Sequence, residues 1–245
     1  MLSAYSADLH IHTCLSPCGE LEMSPLRVAE RAASVGLDMI AICDHNSAEN
    51  AGAVMKAAGQ GKVTVIAGME ITTSEEVHVL GLFPTLRSAL AAQEVVFEHL
   101  EGENDEEAFG MQVIADERDE VVGFNTRLLI GATDLDYSKV VALIRKHGGL
   151  AIASHVDRDG FGLIGRLGFI PEEPPLDAAE LSCDGSADQV TESCLGSKPP
   201  MLIRSSDAHR LDEIGEGRCL LLAAEASFDE LRSALHGEGG RRVDI

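Results

Sequence analysis

Tryptophan is absent, tyrosine occurs twice, and all aromatics together make up 4% of the 245 residues. A protein that tracks along a nucleic-acid strand needs planar side chains on which successive bases stack, so this scarcity argues against a long track. Basic residues are also few: 19 Lys and Arg face 41 Asp and Glu, a formal net charge of −22. That balance excludes a general basic surface for nucleic acid, which needs clustered Lys and Arg, but not a single nucleotide or a short strand held through metal ions. The six cysteines form no Cys-x-x-Cys pair and no spacing of a disulfide framework, so reduced thiols are expected. No apolar run approaches the ~18 residues of a membrane span, and Met1-Leu2-Ser3-Ala4-Tyr5 lacks a basic leader. A cytoplasmic protein with no membrane partner is expected.

What the chain does have is histidine, first in Asp8-Leu9-His10-Ile11-His12. On a β-strand successive side chains alternate faces, so Asp8, His10 and His12 are expected on one side and Leu9 and Ile11 on the other. Two imidazoles so spaced can bite one metal ion at ~2.0–2.1 Å per bond.

From Ala7 to Val65 strand and helix alternate. The first strand ends at His12, and Ser24 as N-cap with Pro25 at N1 opens an amphipathic helix that stops at Gly36. A second strand, 39–43, ends in Asp44-His45-Asn46-Ser47, where Asn46 or Ser47 can cap a helix through Ala58. A third, 63–67, ends at Gly68-Met69-Glu70, and a fourth, 77–83, begins beside His78. Residues 84–136 break the rhythm with an Ala- and Glu-rich helix, an acidic run and a hairpin with arms 112–115 and 121–124. They read as an insertion over the mouth of the site. The alternation then resumes: a helix over 137–147 ended by Gly148-Gly149, a strand 150–154 delivering His155, a strand 178–182 and a helix 187–194. Strand 201–205 delivers Ser206-Asp207-Ala208-His209-Arg210, before a strand 218–223 and a helix opened by a capping box from Ser227 to Glu230.

His10, His12, His45, Glu70, His78, His155, Asp207 and His209 thus all fall at or beside strand ends, where α/β barrels build their sites. Taken singly, His78 reads as a core histidine on a backbone carbonyl and Asp44 as an acid opening a helix. Taken together, so many buried ionisable groups would cost several kcal/mol without ions to satisfy them, and a metal site is expected.

The segments Asp8-Leu9-His10-Ile11-His12-Thr13, Cys43-Asp44-His45-Asn46, Gly68-Met69-Glu70, Val77-His78-Val79-Leu80-Gly81, Ser154-His155 and Ser206-Asp207-Ala208-His209 resemble the motifs of the PHP (polymerase and histidinol phosphatase) superfamily of metal-dependent phosphoesterases. The likeness covers nearly the whole chain outside the insertion. It implies an α/β fold, a distorted (β/α)7-type TIM-like barrel in a single domain over 1–245, with an insertion at 84–136. It also implies two or three divalent ions, zinc, manganese or iron, at the barrel mouth. His10 and His12 would hold a first ion with Asp207, Glu70 would bridge it to a second held by His78 and His155, and His45 with His209 would hold a third. In the turn after His12, where relatives often carry Asp or His, this chain has Ser16-Pro17-Cys18-Gly19-Glu20, leaving Cys18 or Glu20 as the further ligand.

Glu70, Asp207 and His45 are the expected catalytic residues, holding the ions that would make a bridging hydroxide the nucleophile. Arg158, three residues beyond His155, and Arg210 are candidates for binding phosphate, while Asp8 and Asp44 are read as orienting imidazoles. The expected activity is hydrolysis of a small phosphorylated substrate. The alternatives are a nuclease or 3′,5′-bisphosphate nucleotide phosphatase, and a non-catalytic metal-binding regulatory module. The motifs select neither the leaving group nor the oligomeric state.

Overall fold

Residues 39–42, Met-Ile-Ala-Ile, are buried throughout, as befits a strand covered on both faces. They form β2 (Met39–Ile42) in a sheet that curls almost closed in the computed structural model, which describes residues 1–59, 61, 63–194 and 199–245. β1 (Ser3–Ile11), β2 and β3 (Thr64–Thr72) run parallel, joined by the helices α1 (Pro25–Ser34) and α2 (Ala51–Ala58). β4 (His78–Phe83) folds back antiparallel on β3, and α3 (Leu86–Glu98) packs against both. Beyond it lie the short α4 (Glu106–Phe109) and a separate hairpin of β5 (Val113–Ala115) and β6 (Val121–Phe124).

The helix α5 (Tyr137–Lys146) leads into β7 (Leu150–Ala153), which pairs antiparallel with β4. Then α6 (Leu163–Leu167), β8 (Ala178–Leu181), α7 (Ala187–Ser193) and β9 (Leu202–Arg204) complete a second parallel run. A parallel bridge between Ile11 and Ala208 brings the last barrel strand round to the first. β10 (Cys219–Ala223) and β11 (Arg242–Asp244) extend the sheet beside β1, with α8 (Phe228–Leu235) between them. Among the described residues, seven strands of the nine-stranded sheet therefore enclose the barrel and its other two, β10 and β11, lie outside it. Among the described residues no helix is long and apolar enough to cross a membrane.

Two apolar layers follow from the alternation of faces. Leu9, Ala41, Ile66, Leu80, Ile152 and Ile203 fill the interior, which Phe228 and Leu231 of α8 close at the end where the strands begin. Ile40, Ile42, Val65 and Val79 face outward onto Val28, Val54, Val140 and Ile144 of the helices. Leu9 and Ile11 were expected to share a face; they belong to different layers, because the pairing of β1 with β2 slips between Asp8 and Ile11. This irregularity keeps His10 and His12 together and separates Asp8 from them.

The caps differ in detail. Ser24 has extended N-cap geometry with Pro25 at N1, but its side chain makes no capping bond, and Asp119 of the hairpin turn accepts the Leu26 N–H instead (2.7 Å). Neither Asn46 nor Ser47 caps α2, whose N-cap is Asn50. Asn46 is consumed elsewhere, donating to the carbonyls of Leu129 and Gly131 and accepting the Thr72 N–H. It thereby ties the segment around Ile130 to the barrel mouth.

Candidate metal centre

Six strands deliver the candidate ligands to one end of the barrel. β1 supplies His10 and, one residue beyond it, His12; the turn after β2 supplies His45; β3 supplies Glu70. His155 follows β7, and Asp207 and His209 follow β9. His78 joins them from the start of β4, because that strand runs opposite to its neighbours.

Glu70 lies at the centre, 1% exposed. Its Oε1 is 2.9 Å from His78 Nδ1 and 3.2 Å from His155 Nε2. Its Oε2 is 3.2 Å from His45 Nδ1, 3.4 Å from His12 Nε2 and 3.5 Å from His10 Nε2. Asp207 Oδ1 is 3.3 and 3.2 Å from the Nε2 atoms of His10 and His12. Despite these distances, the Nδ1 atoms of His45 and His78 lack hydrogen-bond geometry to any partner. Two buried imidazole nitrogens left unpartnered beside a buried carboxylate are what a shared cation would satisfy, so these residues fit one.

A second layer of polar groups sets the imidazoles. Glu180, 1% exposed inside β8, accepts from His10 Nδ1–H (3.0 Å) and from the backbone N–H of His155 (3.2 Å). A carboxylate only accepts, so His10 carries its proton on Nδ1 toward Glu180 and turns Nε2 to the cluster. Ser16 Oγ donates to Asp44 (2.7 Å) and therefore accepts from His12 Nδ1–H (2.9 Å), with the same result for His12. Asp44 thus reaches an imidazole only through Ser16. Asp8 reaches none; it accepts the backbone N–H groups of Ser206 and Gly215 and so fastens the turn that carries Asp207. The sequence reading missed Glu180, whose only signal is a lone carboxylate within Ala178-Ala179-Glu180-Leu181. Glu180→Gln, which turns an acceptor into an ambiguous partner for His10, is expected to weaken metal binding by about 10–100-fold in a competition titration against a chromophoric chelator. Unchanged affinity would leave Glu180 without this part.

Electrostatics reinforce the fit. Burial alone would raise Glu70 and Asp207, yet the imidazoles of His78 and His10 hold Glu70, and those of His10 and His12 hold Asp207, well below the usual carboxylate range. Burial alone would lower His10 and His12; instead Glu180, Asp207 and Glu70 keep His10 well above its ordinary value, and Asp207 and Glu70 keep His12 at about 9. Burial, with His12 beside both, pulls His45 well down and His209 down to about 4, so these two are neutral near pH 7. The cluster calls for positive charge, which protons on His10 and His12 supply among the side chains alone and which a divalent cation supplies in their place.

His12, Cys18, His45 and His209 form a further group whose donor atoms lie within 4.8 Å of one another. Of the two candidates in the turn, Cys18 is therefore the one within reach. Glu20 points its carboxylate to Arg210 at the surface (3.8 Å). Although Cys18 is exposed at the cleft, its partial withdrawal from water, with Glu70 and Asp207 nearby, pushes the thiol up to about 12, and a cation beside it would favour the thiolate. Cys18, His45, Glu70, His78, Asp207 and His209 open onto a cleft of about 200 Å³ that Ile130, Arg158 and Phe161 also line. Arg158 Nη1 donates to Asp207 Oδ2 (2.6 Å). Arg210 was expected beside it as a phosphate ligand; its guanidinium is turned to the surface, where Asp212 captures it (3.0 Å).

The PHP domain family model matches residues 8–168, about two thirds of the chain. No protein of curated function matches the sequence. Among solved structures, the lesion-specific endonuclease Q of Pyrococcus furiosus superposes with a TM-score of 0.72 at 18% identity, covering 98% of this chain and 58% of its own. This chain therefore spans little more than half the length of that enzyme. Endonuclease Q in complex with a 27-mer duplex bearing an abasic lesion gives 0.68 with the same identity and coverage. A Bifidobacterium adolescentis protein assigned as a metal-dependent phosphoesterase gives 0.56 at 18% identity, covering 95% of this chain and 96% of its own. At these identities the likeness shows a common fold.

Proposed function

The chain belongs to the PHP domain family of metal-dependent hydrolases, and on that premise we propose that it is a phosphoesterase acting on a small phosphorylated substrate at the mouth of the barrel. The observation that carries this reading is the division of Glu70, whose Oε1 faces His78 and His155 while its Oε2 faces His10, His12 and His45. His10, His12 and Asp207 would hold one divalent ion and His78 with His155 a second, sharing Glu70. His45, His209 and Cys18 would hold a third. When bound, such ions supply Lewis acidity and bring the ionisation of water toward neutral pH.

The chain's own groups supply the rest. Arg158, half-buried at the cleft, has guanidinium N–H groups beyond the one on Asp207 to grip a phosphoryl oxygen and stabilise charge that develops on it. His209 donates its Nδ1–H to the backbone carbonyl of Asp207 (2.7 Å), which leaves its Nε2 lone pair for a cation. Burial of the cluster keeps bulk water from screening these interactions.

Phosphodiester cleavage is the second reading, supported by the superposition on endonuclease Q over nearly the whole chain. Both are tested by phosphate release, with manganese or zinc added, from sugar phosphates, histidinol phosphate, mononucleotides and 3′,5′-bisphosphates, alongside cleavage of short oligonucleotides. Release that vanishes in Asp207→Asn, which keeps the side-chain shape and removes its charge, is the expected result. Full activity in that variant would remove Asp207 from the site, and silence on every substrate despite bound metal would leave a non-catalytic module.

A further inference from the structure

Among the described residues that line the cleft, Phe161 is the one Phe, Tyr or Trp. Its φ is +60°, a left-handed conformation that a side chain with a Cβ adopts at a cost. Its carbonyl accepts the His78 N–H (3.0 Å), which ties it to β4, and the loop beyond is tightly wound, since a side chain on the following Gly162 would strike the carbonyl oxygens of Arg158 and His155. The ring stacks on the His78 imidazole, 4.5 Å between centroids at 23°, yet the residue remains 43% exposed. The guanidinium carbon of Arg166 stands 6.0 Å from the ring centroid.

A residue serving only to pack against His78 would gain by being covered, whereas Phe161 stays exposed at the cleft while its backbone is held left-handed beside His78. We propose that Phe161 is the stacking platform for a nucleobase carried by the substrate, so that the cleft takes a mononucleotide unit whose phosphoryl group lies toward Arg158 and the metal centre. This rests on the phosphoesterase reading and narrows its substrate class. A phenyl face accepts any base and offers no hydrogen bond to distinguish them, so the subsite selects for a base without selecting which one. The scarcity of aromatics argues against a long track of stacked bases but not against this one ring.

Adenosine 5′-monophosphate and ribose 5-phosphate share a phosphorylated ribose and differ in the base, which makes them the direct test. Calorimetry on the manganese-loaded protein reads the subsite whether or not phosphate is released, so failure of the subsite and failure of the phosphoesterase reading are separate outcomes. Wild-type protein is expected to prefer adenosine 5′-monophosphate by about ten-fold, and Phe161→Leu to bring that preference close to one. Phe161→Trp, which retains a planar face, is expected to keep it, with bound metal measured in both variants. A wild type that binds the two equally, or a preference that survives in Phe161→Leu, would overturn the proposal. A 5′-phosphorylated trinucleotide separates the two sources of a base: tighter binding than the mononucleotide assigns the ring to a strand end, weaker binding to a free nucleotide, and either preference disappears in Phe161→Leu.

Discussion

Glu70→Gln is expected to lower phosphate release by about a thousand-fold or more, the counterpart of roughly 4 kcal/mol of lost transition-state stabilisation. The size follows from position. Five imidazoles, those of His10, His12, His45, His78 and His155, lie within 3.5 Å of the two Glu70 oxygens. Replacing one oxygen by an amide removes the negative charge and turns a donor toward nitrogens that need to face a cation, so both sides of the centre are disturbed at once. The loss should appear in kcat together with a fall in bound metal, read by elemental analysis of the purified variant. A variant that kept both its metal and its turnover would show that Glu70 does not link the two sides.

Removing the metal is expected to lower the melting temperature by about 10 °C. An ion present at a thousand times its Kd stabilises the folded state by ~4 kcal/mol, and in a chain of this size each kcal/mol shifts the midpoint by ~2–4 °C. The physical source is the charge within the barrel mouth. Glu70, Asp207 and Glu180 are buried or nearly so, and without a cation they are compensated by imidazoles that must take up protons and, at Asp207 alone, by the Arg158 guanidinium. Scanning calorimetry of manganese-loaded and chelator-treated protein at the same pH measures the difference. An identical midpoint in the two would mean that the cluster binds no ion of consequence for the fold.

Much of this site was legible in the sequence because its chemistry is concentrated at strand ends. His10, His12, His45, Glu70, Asp207 and His209 each fall at or near the C-terminal end of a strand, and a barrel brings such ends together whatever its helices do. His78 fits the same logic through the direction of its strand. Residues 73–77 are too few for the crossover of a dozen or more residues that parallel strands need, so β4 had to return antiparallel with its first residue at the mouth.

Other features depend on contacts that no local pattern carries. The slip in β1 that sends Leu9 inward and Ile11 outward arises from pairing with β2. Arg158 and Arg210 look alike in sequence, each following a ligand, but one meets Asp207 in the cleft and the other is taken by Asp212 outside it. Glu180 resembles any acid in a strand until His10 and the His155 backbone are found on the same oxygen. Phe161 sits in a glycine-rich loop without periodicity, and only its dihedral and its stacking on His78 distinguish it.

The most direct test of metal-dependent phosphoester hydrolysis is phosphate release by chelator-treated protein as manganese is titrated back, with bound metal counted at each point. The account predicts no release from the metal-free protein and a rise to full activity as the sites flanking Glu70 fill, with Asp207→Asn silent throughout. Undiminished release from protein that has been stripped of metal would contradict it.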